Sequence, residues 1–339
     1  MPEAAQPPSI MIVGAGAWGT TLALLAHRAG ASVTLIAHRD DDARTMAATR
    51  RHPRSLPGIA IPEAIRIASS LDDFPASGLL VVAIPTQKLR VSLTNLPERF
   101  THAPILSVAK GIELGTLMPP SAVIAEALGR TTSDGIAVLS GPNLASEIAE
   151  GMPAAAVVAG ADAALTQWTQ RALGSSRFRL YTSNDPIGVE LGGALKNIIA
   201  IGAGIADGLA LGDNAKAAFI TRGLAEITRL GIAMGADPLT FGGLSGIGDL
   251  LATCASTRSR NHRVGEELAA GRSLEAILAD MQETAEGVAT TRAARDLAAR
   301  VGVEMPITEA LYGVLFAGTD VAAAIESLLV RTPAPEVRP

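Results

Sequence analysis

Residues 9–37 admit few folds. An apolar run, S-I-M-I-V at 9–13, leads directly into G-A-G-A-W-G at 14–19. A helical pattern follows over 20–29, closed by Gly30, and then a second apolar run over 33–37. Strand, glycine turn, helix and strand in that order begin a parallel βαβ unit. Gly14, Gly16 and Gly19 let the backbone turn tightly and approach a pyrophosphate. Ala17 and Trp18 lie within the same loop, and the free N–H groups and dipole of the helix that follows favour an anion. The expected ligand is a dinucleotide. Trp18 either packs on that ligand or covers the helix start, and cofactor contact is the preferred reading.

The residues after the second strand bear on which dinucleotide. A carboxylate there would hydrogen-bond the 2′-hydroxyl of NAD and repel a 2′-phosphate. Here His38 and Arg39 come first, and acids begin only at Asp40. Both cationic side chains suit a phosphate, so NADP (NADPH) is expected, with NAD (NADH) also accepted. The plain alternative is two solvated loop residues.

Further strands are expected over 79–84, 105–108, 136–139, 155–158 and 178–181, mostly separated by helical stretches. Three run into polar or glycine-rich ends: P-T-Q at 85–87, A-K-G at 109–111 and S-G-P-N at 140–143. Ligands of open α/β sheets bind beyond the carboxyl ends of strands, so these turns should face one crevice. Lys110 is the pointed residue there, a cation beside a glycine, or else a surface lysine in a turn.

After residue 187 the signals are almost all helical. Over 188–208, Leu191, Leu195, Ile198 and Gly202 recur at helical spacing, with Lys196 and Asn197 in the middle and Gly192 and Gly193 one turn earlier. Glycines in a helix cost roughly 1 kcal/mol each relative to alanine, so something must approach that backbone closely. Lys196 is then either a lysine that reaches solvent along its own stem or an ammonium held in a site. Helices are expected over 219–230, 274–281 and 290–301. A glycine turn at 243–248 leads into a helix with Asp249 near its start, where a carboxylate also simply suits the dipole. A polar connection at 256–263 carries three arginines, which fits a site for one phosphate. Residues 1–8 and the tail after Leu329 read as disordered. The expected fold is α/β: a Rossmann-type doubly wound parallel sheet over residues 1–186, then an all-α domain over 187–339.

Composition narrows the function classes. A chain of 339 residues is long for a single core. The net charge of −5 argues against a nucleic-acid partner. Cys254 is the only cysteine, so no internal disulfide forms and a reducing, cytoplasmic setting is expected. In its apolar setting it reads as a core residue rather than a nucleophile. The apolar run around Lys196 reads as too short and too charged for membrane insertion. No metal enters the reading. The oligomeric state is left open, a homodimer included.

A nicotinamide site, two lysines and an arginine-rich anion site together equip a chain for hydride transfer to the carbonyl of a small phosphorylated substrate. From residue 10 to about 329 the sequence resembles the bacterial NAD(P)-dependent glycerol-3-phosphate dehydrogenase family. The matching segments are G-A-G-A-W-G-T at 14–20, A-K-G at 109–111, S-G-P-N-L-A-S-E at 140–147 and G-V-E-L-G-G-A-L-K-N-I-I-A-I-G-A-G at 188–204. G-I-G-D-L-L-A-T-C at 246–254, S-R-N at 259–261, A-E-G at 285–287 and V-E-M-P-I-T at 303–308 complete the set.

The resemblance implies roles. Lys196 is the general acid/base on the C2 oxygen of dihydroxyacetone phosphate. Lys110 contacts cofactor and substrate, while Gly141 and Asn143 line the substrate pocket. Asp249 binds substrate or orients Lys196. Ser259, Arg260 and Asn261 hold the phosphate end, and Arg260, Ala145, Thr284 and Glu286 reach the cofactor. The product would supply phospholipid synthesis. Asn143 and Leu144 stand where the family commonly has Thr or Ser and then Phe, and Thr284 replaces a common apolar residue. Two other readings compete. A β-hydroxyacid dehydrogenase would pair the helix lysine with an asparagine one turn later, but that position is Ala200. A non-catalytic NADP sensor would leave Lys196, Lys110 and Arg260 without a shared purpose.

Overall fold

Apolar runs alternate with alanine-rich stretches over the first half of the chain. Strands apolar on both faces need helices on both sides of their sheet. The computed structural model, which describes residues 8–71, 78–94, 96–131, 134–281 and 285–330, has that arrangement. Its strands are β1 (Ser9–Val13), β2 (Ser32–Ile36), β3 (Arg66–Ala68), β4 (Leu79–Val82), β5 (Ile105–Ser107), β6 (Ile136–Ser140), β7 (Ala154–Ala159) and β8 (Phe178–Ser183). Across the sheet they run β3-β2-β1-β4-β5-β6-β7-β8, so the winding reverses between β1 and β4. That switch point is where a crevice opens beyond the strand ends.

The helices of this half are α1 (Ala17–Arg28), α2 (Asp40–Thr49), α3 (Leu89–Leu93), α4 (Pro120–Ala127), α5 (Ala145–Ala149) and α6 (Ala163–Leu173). Leu22 and Leu25 of α1 share one buried cluster with Leu165 and Leu173 of α6 and with Ile12, Leu35 and Val81 of the sheet. Leu89 and Leu93 of α3, with Val123 and Ile124 of α4, cover Met11, Leu80 and Val82 on the opposite face.

The expected wholly parallel sheet needs one correction. β6 and β7 are antiparallel, with Leu139 opposite Val158. The only helix between them is the five-residue α5, too short to carry the chain back across the sheet. Gly141, at φ +153°, turns the chain out of β6, and a Cβ there would lie 2.8 Å from Ala156 Cα. Strand β3 was not anticipated, because R-I-A carries one β-branched residue and rests on pairing with β2.

The rest of the chain is helical: α7 (Pro186–Gly208), α8 (Asp213–Ala233), α9 (Pro238–Phe241), α10 (Asp249–Ala255), α11 (Arg260–Ala269), α12 (Leu274–Asp280), α13 (Glu286–Val301), α14 (Pro306–Phe316) and α15 (Val321–Leu329). α7 is the axis, buried from Gly188 to Ala206. Asp185 caps its start by accepting from the Gly188 N–H at 2.9 Å. Leu195, Ile198 and Ile201 of α7 share their cluster with Leu250 of α10, Val264 of α11 and Leu297 of α13.

Three further expectations change. α8 begins six residues earlier than its apolar pattern suggests. Residues 260–263 are the first turn of α11, not a connection: the Ser259 hydroxyl caps it by accepting from the His262 N–H at 3.3 Å. α14 and α15 were missed, because they are so evenly apolar that periodicity does not mark them. The length argument against a membrane span also fails. α7 is long and apolar enough to cross a membrane; what sets it apart is that its most apolar window is wholly buried in the fold. Residues 1–7 and 331–339, read as disordered, lie outside the described residues.

Gly204 gives a test in which two effects oppose. Helix propensity alone makes Gly204→Ala stabilising by about 1 kcal/mol. A Cβ at Gly204, however, would lie 1.9 Å from the His262 carbonyl oxygen of α11. Overpacking costs about 1–3 kcal/mol, so the substitution should lower the melting temperature. A variant that melts at or above the wild type would show that α11 has room to move.

Candidate active site

The glycine loop meets the geometric demands made of it. Gly14 has φ +109°, and a Cβ there would lie 2.3 Å from the Ala83 carbonyl oxygen of the chain leaving β4. A Cβ on Gly19 would lie 1.8 Å from the Gly14 oxygen, so α1 seats directly on the loop. Gly16 differs, with nothing within 4 Å of where its Cβ would be. It is the N-cap of α1, makes no side-chain cap, and has no acid in the following turn. The N–H groups at that helix start therefore face open space, which suits a pyrophosphate. Ala17 is the first residue of α1. Trp18 stands edge-on to Phe178 of β8 at 6.4 Å, with its indole N–H buried and without a hydrogen-bond partner among the described residues. The Thr21 hydroxyl donates to the Ala145 carbonyl at 3.0 Å and docks α5 beside the loop. His38 and Arg39 are exposed just past β2, and Arg39 pairs with Asp42 at 3.0 Å.

Across the crevice three charged side chains meet. Lys110 follows the end of β5, Lys196 lies midway along α7, and Asp249 is the first residue of α10, behind one π-type turn over Leu244–Gly248. The Asp249 carboxylate, 1% exposed, accepts from Lys110 Nζ at 2.6 Å through Oδ2 and from Lys196 Nζ through Oδ1. Lys110 also donates to the Gly141 carbonyl at 3.0 Å. α7 comes this close because of its glycines. A Cβ on Gly193 would lie 2.3 Å from Ser140 Oγ, and one on Gly192 would lie 2.5 Å from the Ser245 oxygen. The close approach inferred from the glycine run is therefore a meeting with the end of β6 and with the turn before Asp249.

The electrostatics follow from burial. Desolvation lowers the Lys196 ammonium to about 8; the Asp249 charge opposes this and Lys110 adds to it. Burial alone would raise the Asp249 carboxyl, but the two ammonium groups outweigh it and hold the group below its usual value. Glu286, at the start of α13, accepts from the Thr86 N–H at 2.9 Å and is raised by its burial. An ammonium lowered toward neutrality beside an ionised acid is suited to exchange a proton.

The other residues expected at the substrate lie just before α5, at the start of α10 and at the start of α11. Both side-chain polar atoms of Asn143 are buried with no protein partner, as expected of a group that awaits a ligand. Ser259 is engaged as the cap of α11. Asn261 donates to Asn197 Oδ1 at 2.9 Å and accepts from the Gly287 N–H at 3.0 Å, joining α11, α7 and α13. Arg260 is exposed at the start of α11, and its charge lowers Glu286. The three arginines do not form one cluster. Arg258 donates to Ser146 Oγ at 3.0 Å across the crevice, and Arg263 pairs with Glu267 at 3.3 Å on its own helix. Thr284 lies outside the described residues.

Sequence reasoning missed three groups. The Thr253 hydroxyl accepts from Lys196 Nζ at 2.6 Å and donates to the Asp249 carbonyl at 2.7 Å. Its signal was its place one turn after Asp249, on the same helix face. The Ser140 hydroxyl donates to Asp249 Oδ2 at 3.3 Å, and nothing in S-G-P-N marked it. Asn197 was noticed beside Lys196 but given no role, whereas its amide is buried against Asn261.

A crevice of this kind, with a phosphate-ready helix start on one wall and a tuned lysine on the other, defines a dinucleotide-dependent oxidoreductase. Comparison with known proteins narrows the class. The family described as NAD-dependent glycerol-3-phosphate dehydrogenase matches by its N-terminal part over residues 9–166 and by its C-terminal part over residues 185–326. The chain belongs to that family. It is 46% identical over 334 residues to a glycerol-3-phosphate dehydrogenase [NAD(P)+] of Streptomyces griseus, covering 98% of this chain and 99% of the other. A Chlorobium phaeobacteroides protein of the same name is 46% identical over 97% of this chain and 99% of its own. The crystal structure of glycerol-3-phosphate dehydrogenase from Coxiella burnetii superposes with a TM-score of 0.88 at 35% identity, covering 96% of this chain and 99% of that one.

The lysine sets a pH dependence. Reductive turnover needs the ammonium form, so its rate should fall as pH rises through about 8, while oxidative turnover should rise there. Asp249→Asn removes the charge that raises the Lys196 pKa, so the midpoint should move to lower pH. A kcat profile with an unmoved midpoint would place the proton donor elsewhere.

Proposed function

We propose that the chain catalyses reversible hydride transfer between NAD(P)H and dihydroxyacetone phosphate, giving sn-glycerol 3-phosphate. The observation that carries the reading is that buried Lys196 and half-buried Lys110 share one buried carboxylate. A carbonyl carbon that accepts hydride leaves negative charge on its oxygen, and an ammonium at that oxygen stabilises and then protonates it. Lys196 does this. Asp249 and Thr253 aim its Nζ, and Lys110 adds the second positive charge beside the Gly141 carbonyl.

Asn143 offers its unpartnered amide to the substrate's polar groups. The phosphate end is met by Arg260 and Ser259 at the start of α11, with the second Nδ2 hydrogen of Asn261 still to offer. The dinucleotide, when bound, supplies the hydride. Gly14, Gly16, Ala17, Trp18 and Gly19 seat its pyrophosphate, and Ala145, Lys110, Arg260 and Glu286 also reach the cofactor. His38 and Arg39 stand where a 2′-phosphate would lie, which favours NADPH over NADH.

In this reading residues 1–186 carry the cofactor and 187–339 the substrate. The enzyme works in the cytoplasm without nucleic acid or membrane insertion, alone or as a homodimer, and supplies the glycerol phosphate of phospholipids.

The test follows nicotinamide absorbance during incubation with dihydroxyacetone phosphate, with NADPH and NADH in parallel. Oxidation of the dinucleotide that depends on the ketone is expected, faster with NADPH. Lys196→Met should lower kcat by roughly two orders of magnitude or more while dinucleotide binding persists. Normal turnover by that variant would remove Lys196 from the chemistry. Binding without turnover in the wild type would favour a sensor.

A further inference from the structure

The loop that follows α2 is bound into the cofactor half by contacts the reaction does not require. His52 accepts at Nδ1 from the Ser55 N–H at 2.7 Å and from the Arg54 N–H at 3.2 Å. Its proton is therefore on Nε2, which lies 2.8 Å from the Ala15 carbonyl oxygen of the glycine loop. Arg54 then reaches back to α2 with both ends of its guanidinium. Nη1 lies 3.1 Å from Asp42 Oδ1, and Nη2 lies 2.8 Å from Asp42 Oδ2. The same carboxylate accepts from Arg39 Nε at 3.0 Å and from Nη2 at 3.1 Å. Two guanidinium groups thus straddle one carboxylate just past the end of β2, beside the glycine loop. That is the place of the adenosine ribose in this fold. The two arginines hold the Asp42 carboxyl far below the usual carboxylate range, so it stays ionised at every working pH.

We propose that Arg54 is a specificity-determining residue, the second guanidinium of the site that takes the 2′-phosphate of NADPH, with Asp42 as the internal anion that holds Arg54 and Arg39 in place. The proposal rests on the reading that the dinucleotide lies across this glycine loop. Two guanidiniums around one carboxylate leave net positive charge, which favours a dianionic phosphate over a hydroxyl. Asp42 works against that preference because its charge repels the phosphate that the arginines attract. Its second effect is positional, since Arg54 comes from a loop and would otherwise sample many rotamers. The His52 bond to Ala15 keeps that loop against the pyrophosphate turn, so the 2′-phosphate site and the pyrophosphate site move as one piece.

The test measures equilibrium binding, without turnover, of NADPH, NADH, adenosine 2′,5′-bisphosphate and adenosine 5′-monophosphate to the full chain. Arg54→Ala should weaken NADPH and the bisphosphate by about tenfold or more, and leave NADH and the monophosphate within about twofold. Arg54→Lys should recover part of the loss, because the charge remains while the fork is gone. Asp42→Asn keeps an acceptor oxygen for the guanidiniums while removing the charge that repels the phosphate, so it should tighten NADPH relative to NADH. Equal weakening of NADPH and NADH by Arg54→Ala would show a loop support and overturn the proposal, as would no change in either. If Asp42→Asn instead weakens NADH alone, Asp42 binds the 2′-hydroxyl and the proposal fails. A wild type that binds the bisphosphate no better than the monophosphate would overturn the NADPH preference itself, which the Arg54 series alone does not touch.

Discussion

One buried carboxylate holds the molecule's two halves in register. Asp249 starts α10 in the helical half, Lys110 lies just past the end of β5 in the sheet half, and Lys196 comes from the axis between them. Each charge would be costly to bury alone, and breaking a buried pair by removing one partner typically costs about 3–5 kcal/mol. The trio is tolerated because each member supplies what the others need, and because Thr253, Ser140 and the Gly141 carbonyl satisfy further donors and acceptors. Two cations to one anion leaves the group short of negative charge, the condition in which a site accepts a phosphate ester or a developing oxyanion. The backbone geometry around it is a consequence. Gly192 and Gly193 exist so that α7 can lie against the end of β6 and the turn before Asp249, where any side chain would collide.

Buried acids do similar work elsewhere, holding helix starts from a distance. Glu190 of α7 accepts from the Ser121 N–H at 2.8 Å and from its hydroxyl at 2.5 Å, at the start of α4, a helix with no side-chain cap of its own. Glu226 of α8 accepts from the Ile307 N–H at 2.6 Å at the start of α14, which also lacks a local cap. Asp185 caps α7 and also takes the Thr240 hydroxyl at 2.6 Å from α9. Burial raises Glu190 and Glu226 to about 7 even though backbone donors pull the other way. Each places an acceptor where orphan N–H groups would otherwise be buried unpaired, and each joins elements far apart in the chain.

How much of this was legible depended on whether a residue's partner was local. G-A-G-A-W-G between two apolar runs specified a phosphate-ready turn because all its constraints fall within one βαβ unit. The glycines around Lys196 announced a close approach but not its partner, since Ser140 and Ser245 are distant in the chain and nothing in either segment marks the other. The first turn of α11 reads as part of a polar connection over 256–263 because R-N-H-R carries no apolar residue. It is a helix because the Ser259 cap and the fit of Gly265 against α7 decide the matter, and the second of these is invisible to periodicity. The antiparallel β7 had an apolar run like any parallel strand, and only the shortness of α5 distinguished it. Arg54 left no mark at all, because its meaning comes from sharing Asp42 with a residue on the far side of α2.

Asn143 shows what the sequence departures do. The resemblance implies a Thr or Ser there, and a hydroxyl brings one donor and two lone pairs where an amide brings two donors and an acceptor oxygen. In this chain both amide atoms are buried with no hydrogen-bond partner among the described residues, two positions past the Gly141 whose carbonyl Lys110 holds. Leaving a buried polar group unpaired costs about 1–3 kcal/mol, and nothing in the fold offsets it. A ligand that supplies both a donor and an acceptor at that wall recovers the cost, while an apolar ligand of the same shape does not. On the proposed function the amide is a filter for a polar ligand, and an amide in place of a hydroxyl alters which hydrogen bonds that ligand must make without touching the two lysines that share Asp249.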